Sequence, residues 1–331
     1  MRRTGFMVVL LALAAAPVRA DDSSAALDAG GVVLTRSADI RMVDERLMIS
    51  PKAVKIRFEF VNDTDRPIDE IVAFPMPDID ARQFWFSPLG TTTEDPVNFM
   101  GFRVAANGAP VPVEVEQRAF IKARDVTAAV RSAGLPINPI NQAGFKAADA
   151  LTAVQRKTLA DAKAVDTSDP KETIPLWTVR TRFYWRQHFP AHNSVVLEQS
   201  YQPVTGQRFF AAVADEKDAV REFCVDSGAQ GQLSRMTSAA LAADRQGGGY
   251  LDAFTTDYVL KSGANWKGPI GHFHMVLDKL KPGNVLSLCW KGALTRIGPT
   301  TFEFDAKEFM PTQDIRLLVV SSPRTFPKGR R

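Results

Sequence analysis

The feature that most constrains this chain is a strict two-residue alternation of apolar and polar side chains. In Val54-Lys55-Ile56-Arg57-Phe58-Glu59-Phe60 every second residue is apolar and those between are charged. Only an extended backbone sends these two sets to opposite faces, so the segment reads as a half-buried strand. The period returns where Trp177, Val179, Thr181, Phe183 and Trp185 share one face and Arg180, Arg182, Tyr184 and Arg186 the other. Further strands are predicted near 71–74, 194–201, 257–261, 270–279, 285–290, 300–304 and 315–320.

Turn chemistry punctuates these strands. Residues 62–67, Asn-Asp-Thr-Asp-Arg-Pro, form a turn signal. Asn107-Gly108 accepts the positive φ angles of a type I′ hairpin between an arm at 99–105 and a return arm at 111–116. Pro112 in the return arm suggests an edge strand, because proline donates nothing to a ladder. Helical character is confined to insertions near 125–165 and 215–246. Asp125 caps a helix stopped by Gly134-Leu135-Pro136, and a second helix is predicted over 143–164, with Phe145, Ala148, Leu151, Val154 and Leu159 marking one face. Shorter helices are predicted over 215–223 and 233–245. Residues 166–175 read as a polar linker. The order lacks the regular βα alternation of a parallel sheet. The expected fold is therefore mainly β, of the α+β class, with antiparallel β-sandwich-like sheets and helical insertions.

The N-terminus is predicted to be a cleavable export signal. Arg2 and Arg3 precede the unbroken apolar run 6–16, which Pro17 ends, and Val18-Arg19-Ala20 supplies a cleavage site after Ala20. The run falls short of the about 20 residues that span a bilayer. The expected mature chain, 21–331, is a single unit that does not span the membrane, located in the periplasm. The general secretory route and the twin-arginine route both stay open. The leader also holds three of the 41 basic residues and none of the 37 acidic ones, which leaves 38 against 37, a net charge of +1. That balance argues against nucleic acid as a partner.

Catalytic signatures are absent: the chain has no G-x-S-x-G, P-loop, dinucleotide-binding glycine pattern or H-E-x-x-H. The four histidines fall in two pairs, His188 with His192 and His272 with His274. On one strand, His272 and His274 point to the same side about 6–7 Å apart, and a loop ligand such as His188 or His192 would complete a metal site. Two histidines on an exposed strand face are more often polar surface. Asp78 and Asp80, with Asp69 and Glu70 nearby, raise calcium binding or acid–base work, against a plain solvated strand end. Phe84, Trp85 and Phe86 form an aromatic run which, if extended, cannot all face inward. Together with Arg180, Arg182 and Arg186 it makes a candidate binding surface. Cys224 and Cys289 are the mature chain's two cysteines, able to form one disulfide in an oxidising compartment or to stay as buried thiols.

Several stretches resemble the bacterial family known as domain of unknown function 4424. They are 31–34 with 38–42 and 49–51; Val72-Ala73-Phe74-Pro75-Met76-Pro77-Asp78-Ile79-Asp80; 184–191 with 201–206; and Asn265-Trp266-Lys267-Gly268-Pro269-Ile270-Gly271 with 297–302. The resemblance implies one family unit across most of the mature chain and an exported bacterial protein. It implies no activity and no catalytic residues. In the family's pattern the stretch after Gly271 is not a histidine pair, so His272 and His274 depart from it, which puts a shared metal role in doubt.

The expected function is that of a non-catalytic periplasmic protein, binding a small ligand or another envelope protein without a cofactor. Two other readings stand beside it: a metal-dependent hydrolase using the two histidine pairs, and a purely structural envelope protein.

Overall fold

The computed structural model describes residues 23–28, 31–86, 93, 95–139, 142–166, 168, 172–243 and 250–322. The predicted leader and its cleavage point lie outside these residues. Three main sheets organise the chain. A seven-stranded sheet runs in the order Arg124–Asp125, Glu114–Ile121, Thr178–Phe189, Ile68–Pro75, Ser23–Asp28 and Gly31–Leu34, with Ile79–Asp80 also pairing on Thr178–Phe189. An eight-stranded sheet runs Thr295–Arg296, Thr301–Phe309, Ile270–Asp278, Ile40–Ser50, Ala53–Asn62, Asn193–Tyr201, Arg103–Ala106 and Ala109–Val111. Pairing is antiparallel except where Ile270–Asp278 lies parallel to Ile40–Ser50. The mainly β, sandwich-like fold with helical insertions is thus the observed one.

The alternation explains why these two sheets stack. Phe58 and Phe60 from the eight-stranded sheet, and Phe74, Phe183 and Phe189 from the seven-stranded one, are fully buried. Their rings interlock across the sandwich: Phe60 meets Phe189 at 6.0 Å, and Phe102 stacks on Phe183 at 4.4 Å and on Phe74 at 5.0 Å. Burying a phenylalanine contributes about 1.5–3 kcal/mol by transfer alone, so this aromatic layer dominates the sandwich. The chain crosses between the sheets through the Phe189–Asn193 turn. Buried Asn62 holds it by donating Nδ2 to the Arg66 and Phe189 carbonyls.

A four-stranded sheet, in the order Gly206–Phe210, Leu251–Tyr258, Ile315–Ser321 and Val285–Ser287, packs against the sandwich. Its strand Ile315–Ser321 is buried on both faces. Leu317 and Val319 join the large core, while Leu318 and Val320 join a smaller one under the helices Lys217–Glu222 and Ser227–Ala243. Cys224 and Cys289 are bonded and close this smaller layer, 65 residues apart in sequence. Closing a loop of that length stabilises by about 4 kcal/mol in the chain-entropy account.

Local chemistry decides the details. Asn107 at φ 49° and Gly108 at φ 80° make the expected hairpin turn, but its arms are Arg103–Ala106 and Ala109–Val111 rather than 99–105 and 111–116; the return strand is the sheet edge. Pro112 follows it, and the chain then leaves for the other sheet. Ile40–Ser50 carries a bulge between Met42 and Asp44. Gly271 faces it so closely that a Cβ there would sit 2.7 Å from the Val43 carbonyl oxygen, which accounts for glycine at that position.

Three further expectations are corrected. The helix predicted over 143–164 is two, Gln142–Asp149 and Ala153–Asp161, because Thr152 starts a new helix with a full capping box on Gln155; Val154 is accordingly 77% exposed rather than on the buried face. The strand predicted over 257–261 is Leu251–Tyr258, followed by a 3-10 turn at Lys261–Asn265. The aromatic run at 84–86 is not extended but helical, within Ala81–Phe86, because the Asp80 carboxylate accepts the Arg82 amide and turns the chain.

Candidate functional site

The outer face of the eight-stranded sheet carries a groove of about 580 Å3. Strand register builds it. Val276, Met48, Lys55, Ser200 and Arg103 are successive cross-strand partners on five adjacent strands, so they form one row across the sheet. Two residues along lies a second row, His274, Arg46, Arg57, Glu198 and Ala105, by the same pairings. A third row holds His272, Asp44, Glu59 and Val196. All these side chains face away from the core because their neighbours Leu47, Ile56, Leu197 and Met275 fill it.

The rows differ in charge balance. Asp44 takes Arg46 at 3.1 Å and Arg57 at 3.4 Å, and Glu59 takes Arg57 at 3.4 Å. The cations of the second row are therefore neutralised by the third. Lys55 and Arg103 in the first row have no ion pair among the described residues. Beside them the row turns apolar, with Met48 37% exposed. The groove thus offers two unneutralised cations, a hydroxyl between them and an apolar floor.

His272 closes the third row. Its Nδ1 meets Asp44 at 2.9 Å and its Nε2 meets Asp305 at 2.7 Å. The hydrogen bond to Asp44, and then that to Asp305, raise its pKa above the ordinary imidazole range. His274 Nε2 lies 3.3 Å from Glu303. His188 pairs with Asp69 at 2.8 Å and His192 with Asp65 at 2.7 Å. His188 looks out from the seven-stranded sheet and His272 and His274 from the eight-stranded one, with the core between. The two pairs are not brought together, and among the described residues no three His, Cys, Asp or Glu side chains form a metal site.

The arginine row fares differently from its expected role. Arg180 binds Asp78 at 3.1 Å and covers the Phe120 ring at 4.2 Å. Arg182 binds Glu116 at 2.9 Å, and Tyr184 donates to Glu114 at 2.8 Å. Arg186 is exposed at the end of the row. Trp85 packs on Phe145, with centroids 4.5 Å apart; the side chains of Phe84 and Phe86 lie outside the described residues. Arg182 is therefore occupied by a carboxylate of its own sheet, and Arg180 by Asp78 from the segment just before Ile79–Asp80.

A second cavity, of about 290 Å3, lies where the four-stranded sheet meets the sandwich. Asp78, Asp80, Asp257 and Arg316 line it. Burial pushes the Asp78 and Asp257 carboxyls up, against the opposing pull of Arg180 and Arg316. The segment singled out for its two carboxylates does border a cavity, but each acid is used: Asp78 by Arg180, Asp80 by the Arg82 amide.

The alternating strand 54–60 displays Lys55 and Arg57 outward, but which strands flank it is invisible without register. That is why the groove was not anticipated.

The family described as Domain of unknown function (DUF4424) matches residues 20–318. The chain belongs to this family. No curated protein matches it. Among solved structures, it is similar to a "putative nutrient binding protein" from Legionella pneumophila, with 16% identity, 86% of this chain and 68% of that one covered, and a TM-score of 0.42. A likeness that weak carries no argument about this DUF4424 chain's fold or ligand. Among the described residues of this family member, no helix is long and apolar enough to cross a membrane.

Proposed function

We propose that this DUF4424 protein is an exported, periplasmic, non-catalytic binding protein that uses no cofactor and holds its partner on the outer face of the eight-stranded sheet. The single observation that carries the reading is the groove of about 580 Å3 spread over six adjacent strands. Its size is that of ordinary small-molecule sites, about 300–1,000 Å3. Its floor rests on rigid ladders above a packed aromatic core, so the surface is preorganised and binding costs little reordering. The apolar run after two arginines supports export, and an exposed disulfide, Cys224–Cys289, suits an oxidising compartment. The histidine-based hydrolase finds no support in residues whose imidazoles are each spent on a neighbouring carboxylate.

The test is a thermal-shift screen of small metabolites and lipids against the purified protein and its Met48→Glu variant. A true ligand at a hundred times its Kd stabilises by about 2.7 kcal/mol, and the variant should lose that shift. Turnover of a hit, or hits that bind both proteins alike, would overturn the reading. Cell fractionation checks export: the chain should appear in the periplasm, shortened by its leader.

A further inference from the structure

We infer that the ligand of this groove is an amphiphilic organic anion, its carboxylate head held by Lys55, Ser200 and Arg103 and its aliphatic body laid along Met48 and Val276. This rests on the groove being the binding site.

Lys55, Ser200 and Arg103 are direct partners on three neighbouring strands. Strands lie about 4.8 Å apart, so the two cations flank the hydroxyl from either side, about 10 Å from backbone to backbone. Long flexible side chains at that spacing can reach one oxyanion above Ser200, within range of the serine hydroxyl. The charge belongs to the ligand because nothing among the described residues claims it. Arg46 and Arg57, one row away, already bind Asp44 and Glu59. Lys55 and Arg103 bind no carboxylate among the described residues, and Glu198 is the one acid in the two rows that line the groove.

The same row specifies the rest of the ligand. Beyond Lys55 it continues through Met48 to Val276. Met48 keeps 37% of its surface exposed. An inorganic anion would leave that surface wet, whereas an aliphatic chain covers it and gains the transfer energy of its own methylenes. The five strands that carry this row are interior and their ladders run on both sides, so no peptide adds to them as a strand; the edge strand Ala109–Val111 borders the groove without contributing to the row. Two cations on a short row also fall short of the extended positive stripe a nucleic acid needs.

The experiment is calorimetric titration of the purified protein with dodecanoate below its micellar concentration. Parallel arms use dodecyltrimethylammonium, dodecanol, inorganic phosphate and hexaglutamate. Dodecanoate should bind saturably and more weakly as salt rises. Lys55→Gln/Arg103→Gln should weaken it at least tenfold with the thermal transition unchanged, which separates lost binding from lost folding. Equal binding of dodecyltrimethylammonium or dodecanol, preference for hexaglutamate, saturable binding of phosphate as tight as that of dodecanoate, or indifference to the double variant overturns the proposal. If a screened neutral or cationic ligand binds and Met48→Glu abolishes it, the groove reading survives and only the anion assignment falls. If dodecanoate binds but Met48→Glu leaves it untouched, both fall.

Discussion

On the outer face of the seven-stranded sheet, Arg180 and Arg182 stand in a row with Asp78 and Glu116 already at their guanidinium groups. On the outer face of the eight-stranded sheet, Lys55 and Arg103 stand in a row with Ser200 between them and Met48 beyond. Both faces cover the same aromatic core, and both display cations at every second residue. They differ in what lies on the neighbouring strand. Where the register sets a carboxylate opposite an arginine, the charge is spent on holding the sheet together. Where it sets a serine opposite a lysine, the charge is left for something else. A row of cations is thus structural or functional according to its cross-strand partner, not its own sequence.

Four tests would break or sharpen that contrast. The largest effects should come from beneath the faces and be alike on both sides. Phe58→Ala under the groove and Phe183→Ala under the arginine row should each cost about 3–5 kcal/mol in denaturant unfolding, since both side chains are fully buried. A marked inequality would mean the two sheets do not share one core. Next, Arg182→Ala should cost about 2 kcal/mol. The Arg182 and Glu116 side chains are only 17% and 18% exposed, and Glu116 also accepts the Val32 amide, so the stranded carboxylate keeps little solvent. A neutral result would remove the structural role of that row.

A smaller effect should depend on pH. The folded pKa of His272 is raised by Asp44 and Asp305, so the charged imidazole stabilises the fold. That contribution is fully present below the unfolded value of about 6.5 and fades as pH rises through the folded pKa. The His272 side chain is 37% exposed, and solvent screening holds the effect below about 1 kcal/mol. Melting temperatures of wild type and His272→Gln should differ at pH 5.5 and converge at high pH; a pH-independent gap would argue against the clamp. The smallest effect belongs to the groove cations. Lys55→Ala and Arg103→Ala should each move stability by no more than about 0.5 kcal/mol, because no carboxylate among the described residues is orphaned. A loss as large as that of Arg182→Ala would show that these cations, too, serve the fold.

Much of the architecture is legible from period and turn chemistry. The strands around Phe58 and Phe183, the Asn107-Gly108 hairpin and the helical insertions follow from local rules. The break at Thr152 was also legible, since Thr152 and Gln155 form a capping box, but the apolar face from Phe145 to Leu159 masked it. The helix at 81–86 was hidden because aromatic residues favour strands, and a single Asp80 side chain overrides that preference.

Sequence alone determined that this chain makes strands with one apolar face, that Lys55 and Arg57 must point opposite Ile56 and Phe58, and that the DUF4424 pattern runs through most of its length. These are consequences of backbone period and of residues close along the chain. Tertiary structure alone decided that Ser200 lies between Lys55 and Arg103, that Glu116 lies beside Arg182, and that Cys224 reaches Cys289. Those juxtapositions depend on which strands pair and in what register. Register is a long-range choice, made by burial of the whole core, and no local pattern encodes it.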